Sequence, residues 1–107
     1  LGHEIAGEIV EVGEGVKDRA PGQRVAVDPS RPCGVCDTCR AGMPRHCRNM
    51  RFLGSAMRYP HVQGGFRQSL TVSAAQAVPV ADHVSFAEAA RAEPLAVCLH
   101  AARPAGP

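Results

Sequence analysis

Four cysteines in a short segment constrain this chain more than any other feature of its sequence. Cys33, Cys36, Cys39 and Cys47 follow the pattern CxxCxxCx7C, which places four thiols within fifteen residues. Two-residue spacers allow consecutive sulfur atoms to converge on one point, and four thiolates satisfy the tetrahedral, sulfur-preferring coordination of Zn²⁺. Because four protein ligands leave no position for water, the spacing predicts a structural zinc ion rather than a catalytic one.

Other uses of these thiols fit the sequence less well. Disulfide pairing would leave the fifth cysteine, Cys98, without a partner, and nothing in the sequence indicates secretion. An iron–sulfur cluster favours the run CxxCxxCxxxCP, which this chain stops matching after Cys39. A redox-active CxxC pair requires two thiols only, so it would leave the other two cysteines of the segment unexplained. His46 offers a substitute ligand, but four thiols already complete a tetrahedral set, and Cys98 is expected to be a buried apolar side chain.

Positive charge is concentrated around the cysteines. From Arg31 to Arg67 the chain has seven arginines and one acid, Asp37, whereas the other residues have five cations and nine acids. A basic surface of this kind is compatible with nucleic-acid binding. We favour a solvated loop whose cations offset an anionic ligand, because a zinc ion with four thiolates has a formal charge of about −2.

Length and composition limit what surrounds the cysteines. A chain of 107 residues allows one compact domain, and 11 glycines and 9 prolines beside three Phe, one Tyr and no Trp disfavour a bundle of long helices. No apolar run reaches the roughly 18 residues that span a bilayer, and no secretory signal is recognisable, so we expect a soluble, cytoplasmic protein without a membrane partner. Because the sequence starts at Leu1 and a patterned segment begins at once, we expect a piece of a longer chain.

Short strands are predicted on both sides of an irregular cysteine segment, which extends from residue 30 to about residue 61. Val25 and Val27 lie on one face of a strand, and a Gly-Glu-Gly turn at 13–15 ends the strand before it. An irregular segment of this length is unusual unless something such as an ion fixes it. The predicted strands cover residues 4–12, 24–27, 66–72 and 77–80.

Two helices are predicted near the end of the sequence. Ser85 and Glu88 have the spacing of a capping box, which predicts a short helix that extends toward Arg91. Pro94 suits a first helical position and opens a second helix at 95–102. Since that second helix is apolar almost all round, we expect a partner domain outside this sequence to cover it.

Four stretches of the sequence together resemble one enzyme family. The start GHEIAGEIVEVGEGV is followed by PGQRVAV, by the cysteine segment and then by AEPLAVCLHA. In identity, order and spacing they resemble the zinc-containing medium-chain alcohol dehydrogenases, and AEPLAVCLHA is similar to the polyol, sorbitol-type branch. The resemblance implies a mainly β fold with short helices, a partial GroES-like β-barrel at 1–107. It places a structural zinc lobe with its following loop at 29–62, and at 93–107 a helix that leads to a nucleotide-binding domain.

The resemblance also implies a second, catalytic zinc site. It makes His3 a zinc ligand, Glu4 a ligand or near-ligand, and Glu93 a ligand directly or through water. Without that context, a histidine beside a glutamate is usually a solvated pair. We therefore expect His3 and Glu93 to lie close together in space. The same resemblance matches the four cysteines to the zinc of the lobe.

The activity implied by the resemblance is hydride transfer from a secondary alcohol of a polyol or sugar acid to NAD or NADP, in a homo-oligomer with no nucleic-acid partner. Arg51, Arg58 and His61 are candidates for holding a substrate carboxylate. The family's upstream cysteine ligand, its Ser or Thr proton relay and its nucleotide-binding domain have no match in this sequence, which also lacks GxGxxG. We therefore expect the isolated chain to be inactive.

A freestanding zinc-ribbon module that binds nucleic acid or protein is the alternative of a different class. It would explain the four cysteines and the arginines around them. It would leave His3, Glu4 and Glu93 without a role, whereas the dehydrogenase interpretation explains both groups of residues.

Overall fold

The computed structural model describes residues 1–105 of the chain. It divides into two compact units, which are described separately. The sheet unit consists of residues 4–28 and the chain from residue 72 onward, and the lobe unit consists of residues 1–3 and 29–71.

The sheet unit is built on three antiparallel strands in the order β1, β2, β5. They are β1 (Ile5–Glu8), β2 (Arg24–Val27) and β5 (Ala77–Pro79). Ile5 pairs with Val27 across the first two strands, and Val27 pairs with Ala77 across the next two. β2 therefore lies in the centre, and its two valines are buried on one face as their alternation predicts.

Two of the predicted strands differ from the structure. β1 ends at Glu8 rather than at residue 12. The hydrogen bonds to the segment before β2 extend to Ile9, whose carbonyl accepts from the Gly22 amide at 2.8 Å. Residues 66–72 form no strand, so that prediction was wrong. The amides of Phe66 and Arg67 donate to Leu1 and Gly65 instead of to a neighbouring strand, and Phe66 is 83% exposed.

The first predicted helix is present as α2 (Phe86–Ala90), and its capping box is complete. The Glu88 amide donates to Ser85 Oγ at 3.2 Å, and the Ser85 amide donates to the Glu88 carboxylate at 2.8 Å. α2 packs on β1 and β2, where the Arg24 guanidinium lies 4.2 Å from the centre of the Phe86 ring. The cap and this packing fix where the helix starts and which face it presents to the sheet.

The second helix, α3 (Ala92–Ala105), begins three residues before the predicted start. Pro94 lies in its first turn, where a missing N–H costs no intrahelical hydrogen bond. Leu95, Val97 and Leu99 are all more than half exposed. Cys98 is exposed as well, so the expectation that it is buried was wrong for the described part of the chain. The last two residues of the helix predicted at 93–107 lie outside the described residues.

The lobe unit has little regular structure. A two-residue ladder joins β3 (Ser30–Arg31) to β4 (Arg51–Phe52), with Ser30 opposite Phe52. Between them lie α1 (Asp37–Arg40) and a 3₁₀ turn at Pro44–His46. The segment is thus as irregular as predicted.

Neither sheet closes into a barrel within residues 1–105. In the same part of the chain, no helix combines the length and the apolar character needed to cross a lipid bilayer.

Candidate metal centre

The four predicted thiols converge in the lobe unit. Cys33 follows β3, Cys36 caps α1, Cys39 lies within α1, and Cys47 follows the 3₁₀ turn. Their sulfur atoms all lie within 4.8 Å of one another, and the Sγ atoms of Cys36 and Cys47 are 4.0 Å apart. Tetrahedral Zn²⁺ with Zn–S bonds of about 2.3 Å requires sulfur atoms about 3.8 Å apart. The cluster therefore fits one tetrahedral ion of this size.

Backbone geometry around the cluster turns the chain toward the sulfur atoms. Gly34 and Gly42 have φ angles of 74° and 75°, a region that side chains disfavour. The Cys33 amide donates to Cys47 Sγ at 3.2 Å, and the Cys36 amide donates to Cys33 Sγ at 3.4 Å. Amide donors aimed at sulfur stabilise the thiolate form that binds metal.

The thiols of the cluster differ in acidity. A hydrogen bond with the Thr38 hydroxyl, 3.2 Å from Cys36 Sγ, is the main cause that lowers the pKa of Cys36 to about 5. The backbone amide of Val35, followed by that of Cys36, lowers the pKa of Cys33. Burial, followed by the neighbouring thiols, raises the pKa of Cys39 to about 12. A bound cation would remove this difference, because it favours the thiolate of every ligand.

Thr38 is a contributor to the site that the sequence analysis missed. Its hydroxyl oxygen lies 3.2 Å from Cys36 Sγ and 2.9 Å from the carbonyl oxygen of His46, and its single proton is donated to one of these two acceptors at a time. Thr38 thus links α1 to the 3₁₀ turn. The only sequence signal is its position two residues after a cysteine. That position alone does not distinguish a hydrogen-bonding threonine from a solvent-exposed one.

Arg58 is tied to the backbone of the lobe. Its Nε donates to the Met50 carbonyl at 3.2 Å, and its Nη2 donates to the Arg48 carbonyl. The Arg48 amide in turn is one of the donors that lower the pKa of Cys36. The guanidinium thus holds the chain segment that follows Cys47. Arg58 is one of the three side chains considered as carboxylate ligands. Two of its donors are already directed at backbone carbonyl groups, which makes it a weaker candidate for this role.

The other two carboxylate candidates lie nearby in the lobe unit. Arg51 is half-buried in β4, and the exposed His61 contacts the Tyr59 ring at a centroid distance of 6.0 Å. His46, considered as a substitute metal ligand, is exposed and accepts a hydrogen bond from Arg45 Nε at 3.2 Å. The cluster itself consists of the four thiols.

The residues assigned to the catalytic zinc site belong to different units. His3 is half-buried in the lobe unit, where its ring meets the Phe52 ring edge-on at 5.3 Å. Glu4 is exposed, and Glu93 is half-buried in the first turn of α3, both in the sheet unit. An imidazole with carboxylates is a donor set found in catalytic zinc sites. The chemistry of these residues fits zinc, and their convergence on one ion stays a prediction.

Comparison with known proteins gives consistent matches over nearly the whole chain. It is 43% identical to L-idonate 5-dehydrogenase (NAD(P)(+)) of Escherichia coli K12 over 99% of this chain and 30% of that protein. It is 40% identical to sorbitol dehydrogenase of Bacillus subtilis over 95% of this chain and 28% of the relative. The chain thus spans about three tenths of the length of these relatives.

Solved structures show the same likeness in three dimensions. The crystal structure of the E. coli L-idonate 5-dehydrogenase matches with a TM-score of 0.89, over 99% of this chain and 30% of that one. A protein of Sinorhizobium meliloti 1021 described as a candidate zinc-binding dehydrogenase, solved with NADP bound, matches at 42% identity and a TM-score of 0.83, over 94% of this chain and 28% of that one. The likeness confirms the predicted partial GroES-like fold with short helices.

The family model of the alcohol dehydrogenase GroES-like domain matches residues 1–82. This range contains the GHE start, both strands β1 and β2, and all four clustered thiols. The match covers well over half of the chain and agrees with the relatives on the same family. The chain therefore belongs to the alcohol dehydrogenase GroES-like domain family, within the zinc-containing alcohol dehydrogenases.

Proposed function

We propose that the protein containing this chain is a zinc-dependent oxidoreductase that oxidises a secondary alcohol of a sugar acid with NAD or NADP. L-idonate, which would become 5-keto-D-gluconate, is the first candidate substrate. The observation that supports this most is the 43% identity to an L-idonate 5-dehydrogenase over 99% of the chain. The run from Arg31 to Arg67, which contains the lobe, resembles that enzyme in particular.

In this proposal the four thiols hold a structural zinc ion. Cys33, Cys36, Cys39 and Cys47 would occupy all four positions, so the lobe ion has no place for a substrate. The ion would contribute folding free energy to a segment whose β-structure is a two-residue ladder.

His3, Glu4 and Glu93 would hold the catalytic zinc ion of the same proposal. A zinc ion with an open coordination position lowers the pKa of a hydroxyl group that reaches it. The imidazole of His3 must be neutral to serve as a ligand, and its packing against Phe52 fixes the plane of the ring. In the overall reaction the carbinol C–H bond breaks, a hydride passes to the nicotinamide ring, and the hydroxyl proton is released.

Arg51 and His61 would recognise the carboxylate that distinguishes a sugar acid from a polyol. A guanidinium can bind a carboxylate through two parallel hydrogen bonds, and an imidazole N–H adds a third donor. Sorbitol-type polyols are the second substrate class, which the 40% identity to sorbitol dehydrogenase supports. We further propose a cytoplasmic homo-oligomer with small-molecule substrates and without nucleic-acid or membrane partners.

Steady-state kinetics of the full-length protein test this function. L-idonate and sorbitol are compared with NAD and with NADP, in the unmodified protein and in the Arg51→Gln and His3→Ala variants. We expect turnover of L-idonate, its loss in His3→Ala, and in Arg51→Gln a KM that rises about tenfold for L-idonate and little for sorbitol. Absence of turnover with both substrates would overturn the function. Equal effects of Arg51→Gln on both would overturn the role of this arginine.

A further inference from the structure

The backbone next to His3 is packed too closely for side chains. Gly64 is buried, and a Cβ atom at this position would lie well inside 3.0 Å of the carbonyl oxygens of Leu1 and Gly2. A Cβ atom at Gly54 would lie 2.7 Å from the Gly2 oxygen. Both neighbours are backbone atoms, which cannot turn aside as the end of a side chain can. Positions 54 and 64 therefore require glycine.

The same segments are joined by backbone hydrogen bonds. The Gly65 amide donates to the Gly2 carbonyl at 2.8 Å, and the Phe66 amide donates to the Leu1 carbonyl at 3.2 Å. The Gly54 amide is shared between the carbonyls of residues 62 and 63, at 3.2 and 3.3 Å. Main-chain hydrogen bonds thus join residues 1–2 to residues 65–66, and residue 54 to residues 62–63.

Gly2 has its own reason to be glycine. Its φ of 81° lies in the left-handed region, and a Cβ atom there would lie 2.6 Å from the Phe66 ring. Together Gly2, Gly54 and Gly64 form what we call the glycine clamp. All three lie in the lobe unit, and none of them is a member of the thiol cluster.

We propose that the glycine clamp is a positioning device for His3, a role that rests on the proposed function of His3 as a zinc ligand. His3 follows Gly2 directly, so the clamp fixes the main chain from which the imidazole extends. Phe52 then limits the ring from the side. A ligand displaced by about 1 Å loses much of its effect, and such shifts cost on the order of 100-fold in rate.

Zinc content of the full-length protein tests the clamp. Elemental analysis after gel filtration is compared for the unmodified protein, Gly64→Ala, Gly54→Ala, His3→Ala and Gly13→Ala. Gly13 is a matched control, because a Cβ atom there would meet nothing within 4 Å. We expect about two zinc ions per chain in the unmodified protein and in Gly13→Ala. We expect about one in His3→Ala and in Gly64→Ala, with kcat/KM of the latter lowered at least about 100-fold.

The two proposals fail in different ways. If His3→Ala retains all its zinc, the proposed function of His3 is wrong whatever the glycine variants show. If His3→Ala loses one ion but Gly64→Ala retains both, the clamp does not position His3. Should Gly64→Ala not fold, Gly54→Ala decides by the same measurement. Selective loss of one ion supports the clamp, and either no loss or loss of both ions contradicts it.

Discussion

Different interactions stabilise the sheet unit and the lobe unit, each within itself. In the sheet unit, two antiparallel pairings, a capped helix and the buried side chains of Val25, Val27, Ala77 and Ala89 stabilise the fold. In the lobe unit, the ladder is two residues long, and the buried side chains are those of Pro29 and Cys47. Cys47 is also a member of the four-thiol cluster.

The two units should therefore be destabilised by different changes. The sheet unit buries apolar surface, whose removal costs free energy in proportion to the area exposed. The lobe unit has little apolar surface to bury, and under the proposed function it would depend on metal binding, which supplies folding free energy directly. Each prediction below acts on one of the two units.

The largest effect is expected from the thiols. Replacing all four clustered cysteines by serine should remove the lobe zinc, whose binding is worth on the order of 10 kcal/mol in small zinc domains at neutral pH. Amide hydrogen exchange of the full-length protein should show loss of protection at residues 33–50 and retained protection in β2. Cys98→Ser is the matched control, because Cys98 is exposed on α3 and outside the cluster. Equal loss of protection in both units would contradict the claim that the two units are stabilised by different interactions.

An intermediate effect is expected from the buried valines. Val25→Ala removes two methyl groups from a side chain that is 5% exposed, and this should lower the free energy of unfolding by roughly 1–3 kcal/mol. Val10→Ala, at a side chain 79% exposed, should change it by less than about 0.5 kcal/mol. Denaturant unfolding followed together with zinc content gives the test. Release of the lobe zinc by Val25→Ala in the folded protein would show that the units are not independent.

A smaller effect is expected from the capping box of α2. Ser85→Ala should weaken the helix by about 1 kcal/mol, seen as faster exchange of the Ala89 amide, which bonds to the Ser85 carbonyl. Hydrogen bonds from Ser85 hold the pKa of Glu88 below its ordinary value of 4.5. Their stabilisation is therefore present above pH 4.5 and lost as the pH falls through the lowered pKa. The protection factor of the Ala89 amide should depend less on pH in Ser85→Ala than in the unmodified protein over this range. An equal pH dependence in both proteins would contradict the role of Ser85 in lowering the pKa of Glu88.

The smallest effect is expected from Arg58. Because its guanidinium holds the carbonyls of Arg48 and Met50, Arg58→Ala should speed zinc release to a chelator a few-fold, at a cost of about 1 kcal/mol. Arg67→Ala, at another exposed arginine of the same segment, is the control. A KM that rises only for L-idonate, with zinc release unchanged, would instead make Arg58 a carboxylate ligand.

The parts of the fold that local signals determine could be predicted from the sequence. The strand at 24–27, the capping box at Ser85 and the irregular cysteine segment are all found where expected. The thiol cluster was predictable because CxxCxxC spacing restricts where the sulfur atoms can lie. In each case the information lies within a few residues of the feature.

The features that local signals missed depend on distant contacts. Residues 66–72 alternate like a strand, but the amide of Phe66 bonds to Leu1, which is far away in sequence. The need for glycine at 54 and 64 comes from the backbone of residues 1–2. No pattern within a short window contains these contacts.

X-ray absorption at the zinc edge of the full-length protein tests the central claim, that one zinc ion bound by four thiolates holds the lobe. The catalytic site is first emptied with a chelator, or removed in His3→Ala, so that the lobe ion is observed alone. We expect one zinc ion per chain, surrounded by four sulfur atoms at about 2.3 Å. A first shell with nitrogen or oxygen ligands, iron in place of zinc, or disulfides among the four cysteines would contradict it.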